Sequence, residues 1–233
     1  MIYRGRYNIW IEGAINYILR IIVQRILGIM LFLVGSSWIY GTRELIYFIL
    51  YILIAVISGI VMYKANSTTI NERRKVNTDS PVWDKVLLTI YWILAYFGIY
   101  FVAGQSYKTL QLDILYWIGI ALYIIATIFT LRAMIVNTFL ESTSRLQTDR
   151  KQSVCKEGPY SIIRHPTYLA ILIWCVSISL IFPSKYVRLT AVVIGGVVIV
   201  IRTYLEDKML KKGLDGYMDY TKEVRYRLIP FIW

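Results

Sequence analysis

The chain has 233 residues, 58% of them hydrophobic and 17% charged, with a mean hydropathy of +0.56; soluble domains carry roughly 45–50% apolar and 25% charged residues. Soluble two-domain and α/β organisations are excluded, because apolar runs, most of them of membrane-crossing length, fill nearly half the chain. The 26 Lys and Arg outnumber 14 Asp and Glu, giving a net charge of +12, and these positive residues sit between apolar segments, as an anionic membrane surface requires and nucleic acid does not.

The N-terminal stretch mixes Arg4, Arg6, Glu12 and Arg20 with apolar residues and lacks a small-residue cleavage site after a short apolar core, so no signal peptide is expected and the first span is retained. Six apolar segments follow, at 21–40, 45–63, 86–104, 114–136, 168–182 and 186–201. The last two are short for a crossing of about 20 residues, and their turn at Pro183 and Ser184 suggests a tilted hairpin packed on longer helices. With Arg25 grouped among the N-terminal basic residues, the connections alternate between rich and poor in Lys and Arg, and the positive-inside rule places both termini in the cytoplasm. The expected fold is all-α, a polytopic integral membrane helix bundle of about six spans.

Two stretches on the cytoplasmic side, 137–165 and 202–233, carry most of the polar chemistry. The tail is expected to continue as helix, with Leu205, Met209, Leu210, Leu214, Tyr217 and Met218 near i, i+4 spacing; Gly213 and Gly216 weaken it and Pro230 ends it. Cys155 and Cys175 have no disulfide or metal-ligand spacing, and no metal site is expected.

His165 is the single histidine, inside Gly158-Pro159-Tyr160-Ser161-Ile162-Ile163-Arg164-His165-Pro166-Thr167-Tyr168. Pro166 opens a helix where a missing N–H costs least, so the helix N-terminal amides, beside Arg164 and His165, either hold an anion such as a carboxylate or sit by side chains that snorkel to lipid headgroups. Arg202 and Glu206, at i, i+4, are either an intrahelical ion pair or two separate hands, the Arg for an oxyanion and the Glu for an ammonium. Arg132, inside the fourth segment, snorkels or faces a polar cavity. Tyrosines and tryptophans at segment ends, such as Trp38, Tyr40, Tyr63, Trp83, Tyr186 and Trp233, read as interfacial anchors, though some could line a cation pocket. Gly-x-Gly-x-x-Gly, P-loop and Gly-x-Ser-x-Gly patterns are absent.

Taken in order, Asn137-Thr138-Phe139, Arg145-Leu146-Gln147-Thr148-Asp149-Arg150-Lys151-Gln152, Gly158-Pro159-Tyr160, Arg164-His165-Pro166-Thr167-Tyr168, Arg202-Thr203-Tyr204-Leu205-Glu206-Asp207-Lys208-Met209-Leu210, Gly216-Tyr217 with Tyr220, and Arg225-Tyr226-Arg227-Leu228-Ile229-Pro230 resemble the isoprenylcysteine carboxyl methyltransferase family, itself similar to phospholipid N-methyltransferases. The resemblance divides the chain into N-terminal transmembrane helices (1–112) and a methyltransferase-like membrane region (113–233). It implies S-adenosylmethionine as methyl donor, bound on the cytoplasmic side by Gln152, Ser153, Val154, Cys155, Tyr160, His165, Pro166, Thr167, Tyr168 and Glu206, with Gln147 also within reach. Arg202 becomes the catalytic, substrate-facing residue, acting on a lipophilic or lipidated acceptor drawn from membrane lipids. Two departures stand out: Ala170 replaces a frequent Gly, and Glu206-Asp207 replaces a Glu-Glu pair. Carboxyl methylation of an isoprenylcysteine-like acceptor is the leading expectation; phospholipid or small-lipid N-methylation, an NADPH-dependent sterol-type reductase and a non-catalytic scaffold are the alternatives.

Overall fold

The structure is a computed structural model that describes residues 2–74 and 79–233, with backbone alone for 2–14 and 74. The expected charges of Arg4, Arg6, Glu12, Arg74 and Lys75 therefore lie outside the described side chains. Eight helices are described: α1 (Ile2–Gly35), α2 (Thr42–Ala65), α3 (Ser67–Arg74), α4 (Val82–Gln105), α5 (Ile114–Val136), α6 (Pro166–Ile181), α7 (Lys185–Gly213) and α8 (Tyr217–Glu223). Helix α4 is interrupted by a π-helical stretch at Ile93–Gly98, and α7 by another at Val193–Ile199. No strand occurs among the described residues.

Five of these helices are long and apolar enough to cross a membrane: Ile15–Gly35 of α1, then α2, α4, α5 and α7. Helix α6 is apolar but has 16 residues, about 24 Å at 1.5 Å per residue, shorter than a hydrocarbon core of roughly 30 Å. It packs along α5, where Ser177 Oγ donates to the Gly119 carbonyl at 2.7 Å, and turns back through Pro183 into α7, whose N-cap is Ser184. The helix bundle matches expectation, but among the described residues five helices rather than six reach crossing length, and of the final pair expected to be short only α6 is, α7 having 29 residues.

The end of the first span differs from the sequence expectation. The first span ends at Gly35 rather than at 40, because Ser37 and Trp38 adopt positive φ (54° and 66°) and turn the chain. As the tail pattern predicts, helix continues past 201, α7 running on as far as Gly213, so Arg202, Glu206 and Asp207 ride on the same rod as the crossing. The expected continuous tail helix breaks instead, with Leu214 extended and Gly216 at φ +78°, a conformation that favours glycine, before α8 begins.

Close approach and aromatic packing hold the helices. Gly35 and Gly104 let α1 and α4 touch backbone to backbone, since a Cβ on either would collide with a carbonyl of the other helix. Beside them Phe32, Tyr47, Tyr51, Tyr100, Tyr123 and Phe182 form one core that joins helices from both halves of the chain, and the Tyr47 and Tyr100 hydroxyls hydrogen-bond each other at 2.9 Å. Trp38, Tyr40 and Tyr186 are exposed, as interfacial anchors are, whereas these stacked tyrosines are interior.

The two ends of the bundle are closed by buried polar groups. At one end Arg43 donates to the Gln111 carbonyl at 2.6 Å and to the Leu180 and Ile181 carbonyls at 3.3 Å each. At the other, the Asn66 amide donates to Met134 and Ile135 carbonyls (3.2 and 2.9 Å), Thr69 Oγ1 to the Asn137 carbonyl (3.2 Å) and Arg73 to the Glu141 carbonyl (3.1 Å). The basic-rich 137–165 stretch, α3 and the tail thus share one end, as the charge alternation requires.

Candidate functional site

The turn before α6 is built around Arg164. Its Nε donates to Asp207 Oδ1 at 2.8 Å and its Nη1 to the carbonyls of Val224 (2.7 Å) and Arg225 (2.8 Å). The Arg164 and His165 amides are taken by the Tyr226 and Arg227 carbonyls at 3.0 and 2.9 Å. The Arg164 and His165 amides are thus spent on the tail, and the buried Arg164 does not reach for headgroups. They pin the C-terminal segment across the site instead.

Asp207 is the centre of that clamp. Its buried carboxylate also receives Arg227 Nε (3.0 Å), Lys211 Nζ (3.0 Å) and the Tyr217 hydroxyl (3.1 Å). Four donors on one carboxylate satisfy its lone pairs, which is the condition under which a buried charge is tolerated. The Asp in place of a second Glu has its task here, facing the tail rather than a ligand.

Glu206, one residue earlier and so about 100° around the helix, points elsewhere. It accepts from Ser144 Oγ at 2.7 Å and from the Tyr168 hydroxyl. The Tyr168 ring stacks on the His165 ring, centroids 5.6 Å apart and planes 6° apart. Arg202, expected as a possible partner of Glu206, turns to Asp84 instead: Nε lies 2.9 Å and Nη2 2.8 Å from Oδ1, with Nη2 also 2.7 Å from the Ser142 carbonyl. Asp84 Oδ2 in turn accepts from the Ser144 amide at 2.8 Å. Ser144 thus links both carboxylates, and Arg202 and Glu206 are separate hands held by a shared scaffold.

These groups open onto a cavity of about 360 Å³ that extends from the 137–165 stretch between the membrane helices. Of the residues proposed from sequence, Gln152, Ser153, Val154, Cys155, Tyr160, His165, Thr167, Tyr168, Glu206 and Arg202 line it. Pro166 does not; it is buried at the first position of α6 and sets the helix start. Gln147 lines the cavity, but its amide is spent internally, Nε2 on the Phe139 carbonyl and Oε1 on Arg150, both at 2.6 Å. Arg132 is exposed and off the cavity, the snorkelling alternative.

Electrostatics around the polar mouth favour neutral walls and fixed charges. Burial pushes the Tyr160 phenol well above its ordinary range and raises the Cys155 thiol, so both stay protonated at neutral pH. The two hydrogen bonds from Arg145 hold the Asp149 carboxyl below its usual range, and Arg145 bridges on to Glu141 at 2.9 Å, stiffening the loop. His165 Nε2 is buried without a hydrogen bond and lies 3.6 Å from Asp207 Oδ1. Among the described residues no cluster of His, Cys, Asp and Glu could hold a metal.

Asp84 and Ser144 escaped the sequence reading. Asp84 lies 118 residues from Arg202, and its only local signal is an acid in the first turn of α4, beside Lys85, a place where acids are common.

Residues 114–215 match the model of the phospholipid methyltransferase family. No curated protein matches the chain. The matched range contains α5, α6, α7 and the loop between them, with nearly all of the polar cavity mouth. The chain is accordingly a membrane methyltransferase, an enzyme that methylates a substrate.

Proposed function

We propose that the chain transfers a methyl group from S-adenosylmethionine to the carboxylate of a lipophilic, isoprenylcysteine-like acceptor that approaches from the bilayer. The observation that carries this is the convergence of His165, Tyr168 and Glu206 on one cavity that continues between membrane helices. A polar mouth suits an amino-acid end and an apolar interior suits a lipid.

The donor set fits. Glu206 offers a carboxylate for an ammonium, Tyr160 and Tyr168 offer ring faces to a sulfonium, and His165 Nε2 is a buried polar atom with no hydrogen-bond partner. Gln152, Ser153, Val154, Cys155 and Thr167 complete the wall. Bound S-adenosylmethionine supplies an electrophilic methyl on sulfur.

The residues of the chain do the rest. Arg202 is locked on one side by Asp84 and the Ser142 carbonyl, leaving Nη1 to orient the acceptor oxyanion. A carboxylate is ionised at neutral pH, so no general base is needed, and alignment with exclusion of water carries the acceleration. The charge alternation supports both termini, and the mouth, on the cytoplasmic side.

The description of the matched family favours a second reading, methylation of a phospholipid amine. An amine must lose a proton first, and His165 is the side chain placed to take it. Incubation of purified protein with methyl-tritiated S-adenosylmethionine and a lipid extract separates the two. Label released by hydroxide as volatile methanol indicates the ester, label stable to hydroxide indicates the amine, and absence of transfer with NADPH-dependent reduction in its place contradicts both.

A further inference from the structure

The deep end of the cavity holds a cation that nothing in the methyl-transfer site uses. Arg25 sits in the interior of α1, not among the N-terminal basic residues with which the sequence pattern groups it, and lines the cavity together with Tyr96 and Tyr123. Its guanidinium lies 3.9 Å from the centroid of the Tyr51 ring and 5.8 Å from that of Tyr96. Among the described residues it forms neither an ion pair nor a hydrogen bond, and its Nε is buried without a partner. The Tyr51 and Tyr123 hydroxyls are likewise buried and unpartnered. Three polar groups left unsatisfied at one point in a membrane interior are costly unless a ligand completes them.

Depth follows from α4. Tyr96 lies 12 positions beyond Asp84 on that helix, roughly 18 Å further along its axis, so the guanidinium is far from the Asp84–Arg202 pair at the mouth. The aromatic faces offset part of the burial of the charge but supply no oxygen acceptor, which an arginine fork prefers.

Resting on the methyltransferase reading, we propose that Arg25, with the Tyr123 hydroxyl, binds a second, non-reacting anionic oxygen group, carboxylate or phosphate, of the lipophilic acceptor, apart from the carboxylate that Arg202 orients. The enzyme thereby selects acidic amphiphiles over neutral ones of the same chain length. The polar mouth takes the methyl donor and the reacting carboxylate, and the deep end takes the second acidic group.

The test is competition for binding of tritiated oleate to the purified, detergent-solubilised protein, with unlabelled oleate, oleoyl lysophosphatidic acid and methyl oleate as competitors. Oleate and the lysophosphatidate are expected to compete at least tenfold better than methyl oleate; preference for one of the two acids identifies carboxylate or phosphate as the natural group. Arg25→Gln is expected to lose that discrimination while Arg25→Lys keeps part of it, and S-adenosylhomocysteine binding, measured on the same samples, is expected to be unchanged. Equal competition by oleate and methyl oleate in the unsubstituted protein overturns the proposal without needing a variant. So does full discrimination retained in Arg25→Gln, which would place the acid on another surface cation. Loss of S-adenosylhomocysteine binding in the unsubstituted protein defeats the donor reading instead, a separate result.

Discussion

Glu206 is held by two hydroxyls, Ser144 and Tyr168, neither of which bears a charge. Its carboxylate is therefore positioned without being neutralised, and Glu206→Gln, nearly isosteric, is expected to lower affinity for S-adenosylhomocysteine at least tenfold, about 1.4 kcal/mol, while leaving thermal stability nearly unchanged. A charge-assisted bond to an ammonium is of that size or larger. Cys155 reports on the same wall. Burial raises its thiol, so the reactive thiolate gathers only above the usual thiol range near 8.5; the rate of iodoacetamide labelling at Cys155, followed by mass spectrometry, is expected to keep climbing past pH 9, and a plateau below pH 8 contradicts the burial. Bound S-adenosylhomocysteine is expected to slow that labelling at every pH. His165 and Glu206 were legible from sequence because they stand in ordered local motifs. Asp84, Ser144 and Arg25 were not, since their significance comes from partners on other helices.

Between elements, the bonds that matter join segments remote in sequence. The Asp84–Arg202 pair ties α4 to α7 with both groups buried, and removing one partner of such a pair leaves an uncompensated charge. Asp84→Ala is expected to cost about 3–5 kcal/mol, read as a lower melting temperature in detergent, with Asp84→Ala/Arg202→Leu recovering part of the loss. Asn66 is a smaller joint. Its amide satisfies two carbonyls at the end of α5 and its Oδ1 accepts from the Thr69 amide at 3.1 Å, so Asn66→Ala is expected to cost about 1–3 kcal/mol. Apolar length and a Pro at a helix start were enough to place most helices. The run of α7 past 201 was legible in the i, i+4 spacing of the tail, such as Leu205 with Met209, rather than in hydropathy, because a helix can leave the apolar region while its backbone ladder continues. The break at Gly216 was partly visible, as glycine marks the place where only a left-handed residue fits.

On the scale of the whole molecule, the proposed orientation sets the end with the basic connections, where the cavity mouth opens, against an anionic leaflet. A green fluorescent protein fused after Trp233 is expected to fluoresce in bacterial membranes, and an alkaline phosphatase fusion at the same point to stay inactive; the reverse pattern contradicts the orientation. Charge alternation and segment count carried the architecture, but the aromatic interior did not follow from them, because a tyrosine at a helix end and one in a stacked core look alike in sequence. The central claim is that the turn before α6 and the face of α7 together grip the methyl donor. Its most direct measurement is calorimetric titration of the purified protein with S-adenosylhomocysteine, alongside Glu206→Gln. Saturable one-to-one binding that the substitution weakens at least tenfold is expected. No binding to folded protein, or equal affinity in both, contradicts it.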